Sequence, residues 1–153
     1  MSSTLHDHHQ LADPHVVEVS DGIFAYVQPD GSWWINNAGF LVGRRGVVSV
    51  DTCSTELRTR RYIDAIARIT SQPVRTVVNT HHHGDHTNGN YLFDTATLVG
   101  HERCRNEVVA TGLPNYPGVW NDIPWGDLEL SPPFLTYSDR ISVWADDLRC
   151  EVS

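Results

Sequence analysis

The sequence predicts an α/β protein in a single domain, with helices layered on a mixed sheet. Two patterns carry the prediction. Apolar residues in the first third fall in short runs separated by Gly-containing turns, as strands do. Residues 54–72 and 101–112 then change to helical spacing. With 153 residues, the chain is long enough to bury one real core.

The elements read in order as follows. "HVVEVS" (15–20) and "IFAYVQ" (23–28) flank Asp21-Gly22, a hairpin signal. "SWWINNAGFLVG" (32–43) and "GVVSVD" (46–51) flank Arg44-Arg45, which extends the antiparallel meander. "VVSV" is apolar enough for a strand covered on both faces. In "STELRTRRYIDAIARITSQ" (54–72), Ile63, Ile66 and Ala67 keep helical spacing. Ser54 and Thr55 are candidate caps there, and Pro73 stands past the end. "VRTVVN" (74–79) is the next strand. "HTNGNYLF" suggests a short helical segment, "ATLVG" (96–100) a strand, and "HERCRNEVVATG" (101–112) a helix stopped by Gly112. Residues 113–133 hold five prolines and two tryptophans and read as a long ordered loop. "FLTYS", "RISVWA" and "LRCEVS" read as three more strands. Residues 1–14 are polar and read as a flexible tail, so His6, His8 and His9 are taken as solvated. Residues 15–153 read as the N-terminal part of the domain.

Composition limits the function. The net charge is −8 and the pI about 5.4. Nucleic acid and anionic membrane surfaces favour Lys/Arg patches, so neither is an expected partner. No apolar run approaches the roughly 20 residues of a membrane span. The N-terminal stretch lacks the basic start and apolar core of a secretory signal. Cys53, Cys104 and Cys150 form no CxxC pair and read as small buried hydrophobes. A cytoplasmic location fits best.

The chemistry concentrates in "NTHHHGDHTNGN" (79–90), which holds four of the nine histidines. In extended chain, residues i and i+2 point the same way, so His81 and His83 can reach one ion together while His82 points aside. Gly84 permits a sharp turn, and Asp85 and His86 then project differently, which suits a second ion. The alternative is a polar loop in which Asp85 caps a short helix. Four metal-capable groups in six positions at a strand end favour a metal site.

These residues resemble the His-x-His-x-Asp-His signature of the metallo-β-lactamase superfamily, on His81, His83, Asp85 and His86. "NNAGFLVGRRGVVSVDT" is similar to that family's early strands, which lead to a buried aspartate, here Asp51. The resemblance spans roughly residues 15–152. It implies a four-layer αββα sandwich with a site for one or two metal ions, most often zinc. His81 and His83 would bind the first ion, Asp85 and His86 the second. Asp51 would stand behind the ligands and orient them or water; a plain strand-end cap is the equal alternative. His101 reads as a helix cap rather than a ligand. The implied activity is hydrolysis of an ester, thioester, lactone or amide by metal-bound hydroxide, with Asp85 as the catalytic carboxylate. Trp33, Trp34, Tyr116, Trp120 and Trp125 are candidates to line a substrate cleft or to pack in the core. Iron-dependent oxygenase or redox chemistry on the same signature is the second reading, and a non-catalytic subunit the third.

In that family, a third histidine for the first metal follows the motif, and a bridging aspartate and a last histidine come later. This sequence has no histidine after His101. Asp122, Asp127, Asp139, Asp146 and Asp147 lie in range by number but in no recognisable context. The expectation is therefore that the chain is the N-terminal half of the fold. Its inner sheet face would be bare, and a C-terminal half or partner chain would supply the remaining ligands.

Overall fold

The computed structural model describes residues 11–31, 33–115, 118 and 122–153. Strands β1 (His15–Ser20) and β2 (Ile23–Val27) form the first hairpin. Gly22 takes φ +71 in its turn, a conformation that glycine adopts without a Cβ penalty. Strands β3 (Ala38–Val42) and β4 (Val47–Val50) continue the antiparallel meander. The run 32–43 is shorter as a strand than its sequence suggests. Trp34 turns left-handed at φ 64. The Asn37 Oδ1 accepts from the Gln28 amide at 2.8 Å, so a side chain replaces the ladder there. Residues 11–14 run alongside, with Ala12 hydrogen-bonded to Gln28 and Asp30. The tail histidines His6, His8 and His9 lie outside the described residues.

Helix α1 (Glu56–Ile69) begins where the sequence places a cap, with Thr55 Oγ1 accepting from the Arg58 amide at 3.2 Å. Strand β5 (Val74–Asn79) pairs parallel with β4. A four-residue helix α2 (Gly84–Thr87) and a 3-10 turn (Asn90–Leu92) carry the chain to β6 (Thr97–His101), again parallel. Helix α3 (Glu102–Thr111) ends at Gly112, φ +69, and β7 (Leu135–Tyr137) completes a seven-stranded sheet in sequential order. Strands β8 (Ile141–Ala145) and β9 (Leu148–Val152) form a separate antiparallel pair.

Both faces of the large sheet are covered, which explains the unbroken apolar runs in β4 and β5. Val47 and Val77 face α1 with Tyr26, Phe40, Tyr62, Ile66 and Phe93. Val48 and Val78 face the other way, with Leu41 and Val99, under Ala145 of β8. Val143, Leu148 and Cys150 of the β8–β9 pair pack on this second cluster. The inner face expected to be bare is thus covered at its centre by the chain's own last hairpin. The layers present are helices, large sheet and small sheet, three of the four in an αββα sandwich. The later part of the long loop, at Trp125, is tied to this frame. Glu56 donates its backbone N–H to Trp125 O at 2.9 Å, and Trp125 meets buried Trp34 edge-on at 6.3 Å. Those two tryptophans pack together, Trp33 is exposed, and Tyr116 and Trp120 lie outside the described residues.

Tyr62 joins helix to sheet. It is fully buried; its hydroxyl donates to Gly39 O at 2.6 Å and lies 2.8 Å from Ser49 Oγ. Tyr62→Phe leaves the packing but orphans buried acceptors. We expect a loss of about 1–3 kcal/mol in urea denaturation, with the native spectrum retained.

Candidate metal centre

Parallel pairing builds the site. Strands β4 and β5 run side by side, so the residues that follow them emerge at the same sheet edge, where α/β folds place ligands. Asp51 follows β4 and Thr80 and His81 follow β5. Asp51 continues the ladder by donating its N–H to Val78 O at 2.8 Å. It then turns left-handed at φ 64, which an aspartate tolerates better than most residues and which aims its side chain back at β5.

The Asp51 carboxylate, 4% exposed, gathers three donors. Thr80 N–H reaches Oδ1 at 2.7 Å and Thr80 Oγ1 reaches Oδ2 at 2.8 Å. His86 Nδ1 also lies 2.8 Å from Oδ2. On its far side, His86 presents Nε2 to Asp85 Oδ2 at 3.3 Å. The His81 ring centre lies 4.1 Å from that of His86 and 4.8 Å from that of His83. The four predicted ligands and Asp51 are therefore brought together. The His82 ring centre lies 6.4 Å from that of His81 and 4.6 Å from that of His83, and the side chain lines a small cavity with Thr87, Asn88 and Val108.

Electrostatics follow from the packing. At His86, burial works against charge, but the Asp51 and Asp85 carboxylates outweigh it and push the imidazole up to about 9. At Asp85, burial opposes ionisation, yet the hydrogen bond and charge of His86 prevail and hold the carboxyl below its usual range. At His81, burial together with the neighbouring rings of His86 and His83 lowers the imidazole, favouring the neutral form that a cation requires. The donor set of three imidazoles and a carboxylate suits zinc or iron. Donor atoms on one tetrahedral ion with bonds of about 2.0–2.1 Å sit about 3.3 Å apart, the spacing seen between His86 and Asp85. Among the described residues no three such groups are already arranged around a common point to hold an ion. The candidate ligands lie side by side, with His86 and Asp85 in contact at 3.3 Å.

Three of the later residues named from the sequence are engaged elsewhere. His101 caps α3, its Nδ1 accepting from Arg103 N–H at 3.0 Å, and its Nε2 lies 3.0 Å from Ser138 O. Asp146 is bound to Arg45, and Asp139 lies beside Arg140. Burial pushes the thiols of Cys53 and Cys104 up to about 11, so they act as buried apolar groups.

Sequence reasoning missed the scaffold of the loop. His86 O accepts from Thr52 N–H (3.0 Å), Thr52 Oγ1 (3.0 Å) and Asn79 Nδ2 (3.2 Å). Asn79 and Asn90 exchange amide bonds at 3.0 and 2.7 Å, and Asn90 also donates to Ser131 O at 2.9 Å. Asn88 donates to Ser54 O at 3.1 Å, and Thr87 Oγ1 to His83 O at 3.1 Å. The signal was present in the flanks of the motif, the "NT" before it and the "TNGN" after it.

Comparison with known proteins places this geometry. Residues 31–148 match the model of the metallo-beta-lactamase superfamily, and the chain belongs to that family. No curated protein sequence matches it. Among solved structures, it is similar to a metallo-beta-lactamase from Pontibacter korlensis at 16% identity and TM-score 0.70, covering 91% of this chain and 59% of that one. It is also similar to the metallo-beta-lactamase FIM-1 from Pseudomonas aeruginosa in its mono-zinc form, at 17% identity and TM-score 0.57, covering 67% of this chain and 48% of that one. A metallo beta lactamase from Hirschia baltica aligns at 19% identity and TM-score 0.56, over 72% and 53% respectively. At these identities the likeness concerns the fold. The chain spans about half to three-fifths of the length of these relatives.

Asn90→Ala tests the scaffold. It removes an amide, 1% exposed, that satisfies Asn79 and Ser131 at once. We expect a stability loss of about 2–4 kcal/mol by denaturant titration, several orphaned groups adding up.

Proposed function

We propose that the chain carries the first part of a metal-dependent hydrolase centre, which acts on an ester, thioester, lactone or amide bond. One observation carries the reading: His81, His83, His86 and Asp85 converge at the C-terminal edge of β5, with Asp51 behind them. Zinc, as two ions, is the cofactor this donor set and family favour. His81 and His83 would hold the first and Asp85 and His86 the second. Bound zinc supplies Lewis acidity and lowers the pKa of water towards about 7.

The chain's own residues prepare that centre. Asp51 fixes the His86 ring through Nδ1, leaving Nε2 as its outward atom. Asp85, whose carboxyl is held below its usual range beside His86, is the candidate to orient or take a proton there. Each zinc normally takes three or four protein ligands. We therefore assign the missing donors to polypeptide corresponding to the rest of the relatives' length, in the same chain or in a partner. Specificity for the small-molecule substrate would come from the same source. No helix among the described residues is long and apolar enough to cross a membrane. The unpaired thiols of Cys53, Cys104 and Cys150 support a reducing, cytoplasmic setting. A second reading, a subunit with no activity of its own, is favoured by the lack of a ready three-ligand cage among the described residues.

Metal analysis and calorimetric titration with zinc test the proposal. We expect weak binding by the chain alone, approaching two equivalents once the complementary polypeptide is supplied. Single replacements of His81, His83, Asp85 or His86 by alanine should each weaken binding at least about tenfold, while His82→Ala leaves it unchanged. One equivalent of iron in place of zinc would point to oxygenase chemistry. Equal zinc binding by a variant lacking all four ligands would end the metal-site reading. Hydrolytic turnover in the completed assembly that survives Asp85→Ala would exclude a catalytic role for that carboxylate.

A further inference from the structure

We propose that Thr80 is a positioning residue that fixes the tautomer of His81, so that Nε2 is the ring atom offered to a cation. The proposal deepens the metal-site reading and rests on it for the identity of the ligand, but its geometric part stands alone. Thr80 Oγ1 lies 2.8 Å from Asp51 Oδ2 and 3.0 Å from His81 Nδ1. A threonine hydroxyl has one proton to give. The Asp51 carboxylate only accepts: it already takes the Thr80 N–H at Oδ1, and it faces His86 Nδ1 at Oδ2. The hydroxyl proton therefore goes to Asp51, and the oxygen can only accept from His81. That places a proton on His81 Nδ1 and leaves the lone pair on Nε2.

The same carboxylate sets His86 directly, since its Oδ2 demands a proton on His86 Nδ1. One buried aspartate thus orients two imidazoles, one by contact and one through Thr80. Partners of this kind behind metal ligands fix ring orientation, and their loss typically costs 10–100-fold in metal affinity. A purely structural threonine at a strand end would not select a tautomer.

Nitrogen-15 NMR of histidine-labelled protein, without metal, reads the tautomer of each ring. We expect His81 as the Nδ1–H form in the wild type. Thr80→Val keeps the branched shape but removes the hydroxyl, and His81 should move to the Nε2–H form or a mixture. Thr80→Ser should restore the wild-type pattern. Thr80 is solvent-exposed, so both variants are expected to fold, and their amide spectra verify it. In parallel, zinc affinity should fall at least about tenfold in Thr80→Val and recover in Thr80→Ser. A wild-type His81 already in the Nε2–H form would overturn the proposal, as would a tautomer indifferent to Thr80→Val. A changed tautomer with undiminished zinc affinity would overturn its link to the metal. If the wild type bound no zinc while the tautomers behaved as expected, the geometric assignment would be supported and the metal-site reading itself would fail.

Discussion

The bond between Asp51 and the end of β5 holds the candidate centre together. It exists because β4 and β5 are parallel neighbours whose ends lie at one sheet edge. Asp51 then turns left-handed and closes on both backbone and side chain of Thr80. A left-handed non-glycine residue is a local strain that persists only where its surroundings determine it. Here they do so through three short hydrogen bonds to the carboxylate. Without that closure, the loop after β5 would still be tied to the segment after β4 through Thr52 and Ser54, but the His86 ring would lose the bond that orients it.

Behind the carboxylate stands a dry polar frame. Thr52, Asn79 and Asn90 are fully or nearly fully buried. Such groups cost free energy unless paired, and each is paired, largely with the others and with the His86 carbonyl. The apolar clusters on the two faces of the sheet supply stability without direction. The amide network supplies direction, because its bonds are satisfied in one arrangement of the loop. Gly84 and Gly89 extend the same logic. A Cβ on the first would collide with the Asn88 side chain and one on the second with Thr59, so the loop lies closer to its supports than other residues allow.

Much of this was legible in the sequence. The hairpin at Asp21-Gly22, the Thr55 cap, the β5 limits and the Gly112 stop are local decisions made by neighbouring residues, and they read directly. The quartet His81, His83, Asp85 and His86 stood out in the sequence because scarce residue types were crowded into six positions, and its role as a metal site is a proposal. Three things were hidden, each of them non-local. Trp34 breaks an apparently continuous strand through its packing on Trp125, which lies far along the chain. The β8–β9 pair folds back over Val48 and Val78, and periodicity cannot say which face a distant hairpin covers. The asparagines after the motif looked like turn formers, and only their burial shows that they are structural ligands of the backbone.

The two carboxylates show how position divides one chemistry into two tasks. Both flank His86, Asp51 at Nδ1 and Asp85 at Nε2. Asp51 is almost wholly buried and its oxygens are committed to donors within the chain, so it has little capacity left for an ion. Asp85 is only half-buried, sits in the first turn of the short helix α2, and meets His86 at a longer 3.3 Å. An incoming cation that took the place of the Nε2 proton would find its two ligands already spaced for it and would leave the Asp51 contact intact. Burial, rather than residue type, therefore makes one aspartate a fixture of the fold and leaves the other accessible.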